Sequence, residues 1–195
     1  MERIRKYDKG LALTFAFLTI IFLVVLMTNE KFFIWVFERH QNQLSWYIRP
    51  IFLIPFFFCA YKHSWTGISL TIFCLFTSMF WFGKPEMVSD SVKHFLQFEK
   101  EWLNGVWDYK KILLILSVPI SLFALGLASW KRSIWIGLGV VVLMATGKIV
   151  WSIQNAGESG RSILVPALIG LFICAVLIYF GFKRLEKKVQ RHGTQ

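Results

Sequence analysis

Long apolar runs separated by short polar stretches dominate the pattern of this chain. A helix that crosses a bilayer needs about 20 predominantly apolar residues, and six runs come close to that length. They predict membrane-spanning helices at about 10–28, 45–61, 65–83, 111–130, 133–152 and 162–182. The second run is the least regular because it contains Arg49, Pro50 and Pro55, so the sequence leaves open whether it crosses fully.

A shorter periodic pattern lies in the polar stretch between the third and fourth runs. Its apolar positions have helical spacing and are Val92, Phe95, Leu96, Trp102 and Leu103. Glu99 alone interrupts this stripe. Ser89 is a suitable N-cap and Gly105 a suitable helix end, so we predict an amphipathic helix near 89–104, lying on the outer leaflet or folding over the bundle. The aromatic stretch at 32–37 is too short to span and is expected at the membrane interface.

The composition indicates a membrane protein. Hydrophobic residues make up 56% of the chain and charged residues 17%, whereas soluble domains have about 25% charged residues. The chain is rich in Phe, Ile and Lys, as many small bacterial membrane proteins are, and it contains no motif that names a family. We predict an all-α, polytopic integral membrane bundle formed by one domain, 1–195, with a basic cytoplasmic tail at 183–195.

The formal net charge of +11 is distributed in a way that predicts topology. Lys and Arg residues cluster at the ends of the apolar runs. They are densest in the short segments that would face the cytoplasm if both termini were cytoplasmic. Because cytoplasmic loops are enriched in Lys and Arg, we predict a multi-pass plasma-membrane protein with both termini cytoplasmic. Anionic lipid headgroups are the expected partners of this charge, and nucleic acid is not expected because no soluble basic domain is present.

One lysine, Lys148, lies inside the fifth apolar run. Its side chain can extend to the membrane surface, since it is about four residues from the predicted helix end. Alternatively it faces the bundle and pairs with Glu158 or with an acidic residue of the 84–110 loop. In that case it contributes, with Asn155 and Arg161, to an outward-facing polar pocket that suits an anionic headgroup or a small anion.

A second candidate set lies on the polar edge of the amphipathic helix. Asp90, His94 and Glu101 share one helical face, and these residue types can bind a metal or transfer protons. Their spacing does not match a known zinc motif such as HExxH, so a solvated polar face is the simpler interpretation. We predict no metal site and no catalytic residue.

Small residues recur at helical spacing in three runs and predict closely packed helix faces. These positions are Gly67, Thr71, Cys74 and Ser78 in the third run, Gly139 and Gly147 flanked by Gly137 and Ala145 in the fifth, and Ala167, Gly170, Cys174 and Gly181 in the sixth. The three cysteines of the chain all lie in apolar runs, and we interpret them as packing residues.

The absence of nucleotide-binding, metal and nucleophile motifs favours a non-enzymatic membrane protein, such as an accessory subunit, a stress or immunity factor, or a small permease component. One alternative is a lipid- or headgroup-handling enzyme whose outward-facing site uses the polar residues named above. Another is a transporter that uses Lys148. Membrane lipids and a membrane protein are the expected partners, and no cofactor is expected.

Overall fold

The computed structural model describes the backbone of residues 2–192 and the side chains of residues 7–187. Within this part of the chain every regular element is helical, as predicted. The α-helices are α1 (Glu2–Thr28), α2 (Glu30–His40), α3 (Leu44–Ile51), α4 (Leu53–Tyr61), α5 (Trp65–Thr77), α6 (Asp90–Asn104), α7 (Tyr109–Trp130), α8 (Ile134–Gly160) and α9 (Leu164–His192). Short 3₁₀ turns follow α5 and α8. The last three residues of the predicted basic tail lie outside the described residues.

Four helical stretches are long and apolar enough to cross a membrane. They are Tyr7–Thr28, Leu44–Tyr61, Tyr109–Trp130 and Ile134–Lys187. The last stretch, of 54 residues, contains α8 and α9, which pack against each other. The helical stretch Trp65–Phe80 is apolar but shorter. Membrane-spanning character is therefore supported for four stretches, and the total of six stays a prediction.

The second predicted span is interrupted in the middle. The α3 and α4 helices are separated at Phe52. Pro55 explains the position of this break, because it has no N–H to donate and its ring clashes with the carbonyl group four residues earlier, at Ile51.

The polar segment after residue 152, where the fifth span was predicted to end, is mostly helical. The α8 helix continues through it to Gly160, with one non-helical residue, Gly157, at φ 56° and ψ −133°. This backbone conformation is readily available only to glycine, and it lets the chain turn back on itself. Gly160 then packs on the backbone of Ser152, where a Cβ atom would overlap the Ser152 carbonyl group.

The helices run between two ends of the bundle. At one end, the Asp8 carboxylate accepts hydrogen bonds of 3.0 Å from the backbone N–H groups of Trp65 and Thr66. At the other end, Arg39 Nε of α2 donates to the Phe80 carbonyl oxygen at 2.7 Å. Apolar residues of α6 pack with those of α2 at this end. We call these the Asp8 end and the α6 end.

The core has two parts. At the α6 end, α2 and α6 bury apolar side chains that include Val36, Phe95 and Leu96. The second part surrounds α4 and includes Phe57, Leu125, Cys174, Ile178 and Phe182. The aromatic stretch at 32–37 thus lies within α2, and α6 folds over the bundle.

The predicted small-residue faces are confirmed in two helices. A Cβ atom at Gly170 or Gly181 of α9 would overlap the side chain of Pro50 or Phe58, respectively, and a Cβ atom at Gly67 would contact Cys59.

In α8 the small-residue prediction is wrong at Gly139 and Gly147 and holds at the flanking Gly137. Gly139 and Gly147 face open space, and Gly137 contacts Phe57 instead. A spacing of eight residues is compatible with one helix face, but it does not say which face the neighbouring helix covers.

Candidate functional site

A charged pair joins α6 to α8 at the α6 end. The Lys148 Nζ atom lies 2.6 Å from Glu99 Oε1, and the two side chains are 47% and 18% exposed. The ammonium group also lies 5.4 Å from the ring centre of Phe95 and 4.6 Å from that of Trp151. Glu99, which interrupts the apolar stripe of α6, is therefore the partner of Lys148, which interrupts the fifth apolar run.

Next to this pair, α2 and α3 bury a histidine. His40 is 4% exposed, and its Nδ1 atom lies 2.8 Å from the Ser45 hydroxyl oxygen. Its Nε2 atom lies 3.4 Å from an Arg49 guanidinium nitrogen, which can only donate. The hydrogen-bond network therefore assigns the ring proton to Nδ1, which donates to Ser45. The Ser45 hydroxyl in turn donates to the Asn42 carbonyl oxygen at 2.8 Å.

The surroundings of His40 favour its neutral form. Burial is the main cause that holds the pKa of His40 well below its ordinary value, and the positive charges of Arg49 and Lys148 lower it further. Glu99 also interacts electrostatically with Arg49. We call His40, Arg49, Glu99 and Lys148 the charge cluster; with His40 neutral, it has two cations and one carboxylate.

A second lysine anchors the end of α6. Lys111 is 4% exposed, and its Nζ donates to the carbonyl oxygens of Leu103 and Gly105, both at 2.9 Å. The rings of Trp102 and Trp107 lie 5.2 and 4.7 Å from the ammonium nitrogen. A cation at a helix C-terminus satisfies free carbonyl groups and interacts favourably with the helix dipole.

The polar residues predicted near Lys148 are placed apart from it. Glu158 pairs with Arg161 at 3.1 Å, and both side chains are exposed. The exposed Asn155 donates its side-chain N–H to the Trp151 carbonyl oxygen at 2.8 Å. Of the two partners considered for Lys148, the structure favours an acidic residue of the 84–110 loop over Glu158.

The candidate residues on α6 face away from the charge cluster. Asp90, His94 and Glu101 are exposed, opposite the buried Val92, Phe95 and Leu96 stripe. Asp90 contacts Lys93 at 3.4 Å, and Glu101 accepts a hydrogen bond of 2.8 Å from Gln97.

Among the described residues, no group of three His, Cys, Asp and Glu side chains could hold a metal ion. A surface depression of about 290 Å³ lies between the α2–α3 turn and residues 85–89, and the charge cluster does not line it.

Sequence reasoning missed His40 and Ser45, and it treated Arg49 only as an irregularity of the second apolar run. A signal was available, because an arginine in the first turns of an apolar run needs a polar partner and a histidine lies nine residues before it. The turn at 41–43 that brings the two together has no distinctive pattern.

Comparison of the chain with protein-family models, with curated proteins and with solved structures finds no match.

Proposed function

We propose that this chain is a multi-pass plasma-membrane protein with six spans and cytoplasmic termini, and that it acts as a non-enzymatic accessory or interaction protein. The Asp8 end supports the orientation, since it contains Lys62, Lys131, Arg132, Lys183 and Arg184, all exposed. The contact of Asp8 with Thr66 supports a crossing by the second segment, because it requires the chain to return to its starting side.

The observation that carries the proposal is the Lys148–Glu99 pair. A lysine in an apolar helix is a candidate for chemistry or transport by default. Here its charge is used to attach the C-terminal half of α6, together with Lys111, which binds the carbonyl groups at the end of the helix. The charge of Lys148 therefore stabilises the packing of α6 on α8. The polar face of α6 remains exposed and is available to a partner.

The partner face is the exposed side of α6, with Asp90, His94 and Glu101. A helix that is fixed at two points presents these side chains with little loss of conformational entropy on binding. A membrane protein with a polar outer surface fits this mixture of carboxylates, imidazole and the ammonium group of Lys93. The main subunit of a transporter or of a stress-response complex is a partner of this kind.

Native mass spectrometry after gentle extraction from the membrane tests this function. We expect a stoichiometric protein partner, and its loss when Asp90, His94 and Glu101 are all replaced by alanine. The matched control replaces Glu158 and Arg161, an exposed pair at the same end but outside α6. An empty monomer, or equal loss in both variants, contradicts the proposal.

The same experiment separates the two alternatives. A bound small molecule or substrate lipid that is lost in His94→Ala favours a headgroup-handling enzyme. A bound solute that is lost in Lys148→Met, with α6 still folded, favours a transporter.

A further inference from the structure

Two turns at the Asp8 end have the same residue pattern and backbone. Each has an aromatic residue, a lysine, a second basic residue and a serine: Tyr61, Lys62, His63 and Ser64 between α4 and α5, and Trp130, Lys131, Arg132 and Ser133 between α7 and α8. The second basic residue is left-handed in both, with φ 58° at His63 and 57° at Arg132. The backbone N–H of each bonds three residues back, to Ala60 at 3.0 Å and to Ser129 at 2.9 Å.

The basic side chain of each turn also stacks on the aromatic residue of the other turn. The His63 ring of the first turn stacks on Trp130 of the second, with ring centres 4.0 Å apart and an angle of 26° between planes. The Arg132 guanidinium of the second turn lies over Tyr61 of the first at 5.2 Å. Each turn therefore holds the basic side chain of the other in place.

We call the exposed basic side chains of the two turns the basic clasp. They are Lys62, His63, Lys131 and Arg132. The two carboxylates that the described side chains place at this end are engaged elsewhere: Asp8 binds the first turn of α5, and Glu186 pairs with Lys183 at 3.1 Å. The clasp thus retains its positive charge.

The clasp lies beside membrane-interface residues. Trp65 and Trp135 follow the two turns and are 48% and 72% exposed. Exposed tryptophans at helix ends occupy the headgroup region of a bilayer. The cations of the clasp therefore lie at the depth of lipid phosphates.

We propose that the basic clasp binds the phosphate of an anionic phospholipid in the leaflet at the Asp8 end. The inference rests on the membrane location in the proposed function, but not on a protein partner. Guanidinium donates paired hydrogen bonds to phosphate oxygens, and the lysines add charge. Stacking on Tyr61 and Trp130 fixes two of the four groups before the lipid arrives.

The test is native mass spectrometry of the full chain in detergent with three probes: phosphatidylglycerol, phosphatidylcholine with the same acyl chains, and inorganic phosphate. We expect retention of phosphatidylglycerol alone. The double variant Lys131→Gln, Arg132→Gln should weaken it by about 25-fold, or about fivefold for each charge removed near the surface. The control variant Lys31→Gln, Lys110→Gln removes two exposed charges at the opposite end, outside α6, and should leave retention unchanged.

A conservative variant guards against loss of fold. Arg132→Lys keeps the charge and should retain most of the lipid at the unfolding temperature of the parent protein. Loss of lipid at that unchanged temperature would show that the charge of the turn does not hold the lipid, and would overturn the proposal. Equal retention of phosphatidylcholine, retention of phosphate without acyl chains, no retained lipid, or equal effects in the clasp and control variants would overturn it too. The protein partner is tested with α6 variants, so failure of one inference is distinguishable from failure of the other.

Discussion

At the scale of single residues, Lys148 and Glu99 each occupy a position that the surrounding pattern makes unfavourable for a charge. Lys148 interrupts an apolar helix, and Glu99 interrupts the apolar stripe of α6. They are 49 positions apart in sequence and 2.6 Å apart in space. The sequence indicates that each needs a partner, but only the tertiary fold identifies the partner.

We expect Lys148→Met to destabilise the protein by about 1–2 kcal/mol, because Glu99 is mostly buried and loses its counter-ion. Lys148 is about half exposed, so the loss stays below that of a fully buried pair. Combining it with Glu99→Leu should restore much of the stability, giving a coupling energy of about 1 kcal/mol. Denaturant unfolding in detergent, followed by tryptophan fluorescence, measures this cycle.

The exposed Glu158–Arg161 pair is the control for that cycle. An exposed pair contributes about 0–1 kcal/mol, and its coupling should be at the lower end of that range. If the Lys148–Glu99 coupling is no larger than that of the control, Lys148 contributes nothing specific to the attachment of α6.

His40 should make stability depend on pH. Its pKa is lowered in the folded protein, whereas the unfolded chain has a value near 6.5. Below about pH 6.5 the unfolded chain therefore binds the additional proton, and stability falls as pH falls towards the folded pKa, by up to about 1.4 kcal/mol per pH unit. Above pH 6.5 the contribution is fully present. The positive charges of Arg49 and Lys148 oppose protonation of His40.

Unfolding free energies measured between pH 8 and pH 5 check this expectation. His40→Gln should flatten the decline below pH 6.5, while His94→Gln, at an exposed position on α6, should leave it unchanged. A decline that persists in His40→Gln assigns the acid sensitivity to another group.

At the scale of elements, local signals predict α6 almost to the residue. The sequence predicts 89–104 and the structure has Asp90–Asn104, because periodic spacing, a starting serine and a terminal Gly105 are all local features. The length of α8 was not predictable in this way, since its polar end resembles a loop. The charge cluster was only partly predictable, because the contact between His40 and Arg49 depends on the turn between α2 and α3.

Two glycines in α8 provide a matched test of helix packing. A Cβ atom at Gly137 would lie 2.6 Å from Phe57 Cε2, and Phe57 is fully buried, so it cannot move aside. Gly139, two residues later, faces open space. We expect Gly137→Ala to destabilise by about 1–3 kcal/mol, and Gly139→Ala to stabilise by up to about 1 kcal/mol through helix propensity.

Thermal unfolding of the two alanine variants in the same detergent measures this difference. Both changes add one methyl group to the same helix, so their effects on intrinsic helix propensity cancel in the comparison. Equal effects would mean that α4 and α8 are not packed at Gly137 as the structure has them.

At the scale of the whole molecule, the contacts between helix ends constrain the topology. Asp8 precedes the first apolar run, and its carboxylate contacts the start of α5. Between these points the chain runs to the α6 end through α1 and returns to the Asp8 end through α3 and α4, although these helices are interrupted at Phe52. The sequence left this crossing open because the segment contains an arginine and two prolines. The contact between Asp8 and the start of α5 is evidence for this return, and no local pattern in the sequence provides it.

Cysteine labelling distinguishes six spans from five. With six spans and a cytoplasmic N-terminus, Glu101→Cys on α6 reacts with a membrane-impermeant maleimide on intact cells, and Lys131→Cys in the α7–α8 turn reacts only after permeabilisation. Both positions are exposed. If the second segment does not cross, every later segment is inverted and the two variants exchange their behaviour. The parent protein measures background labelling, which should be low because Cys59, Cys74 and Cys174 lie within apolar helices. The exchanged result would also be incompatible with the contact between Asp8 and α5, so it would contradict the fold as well as the topology.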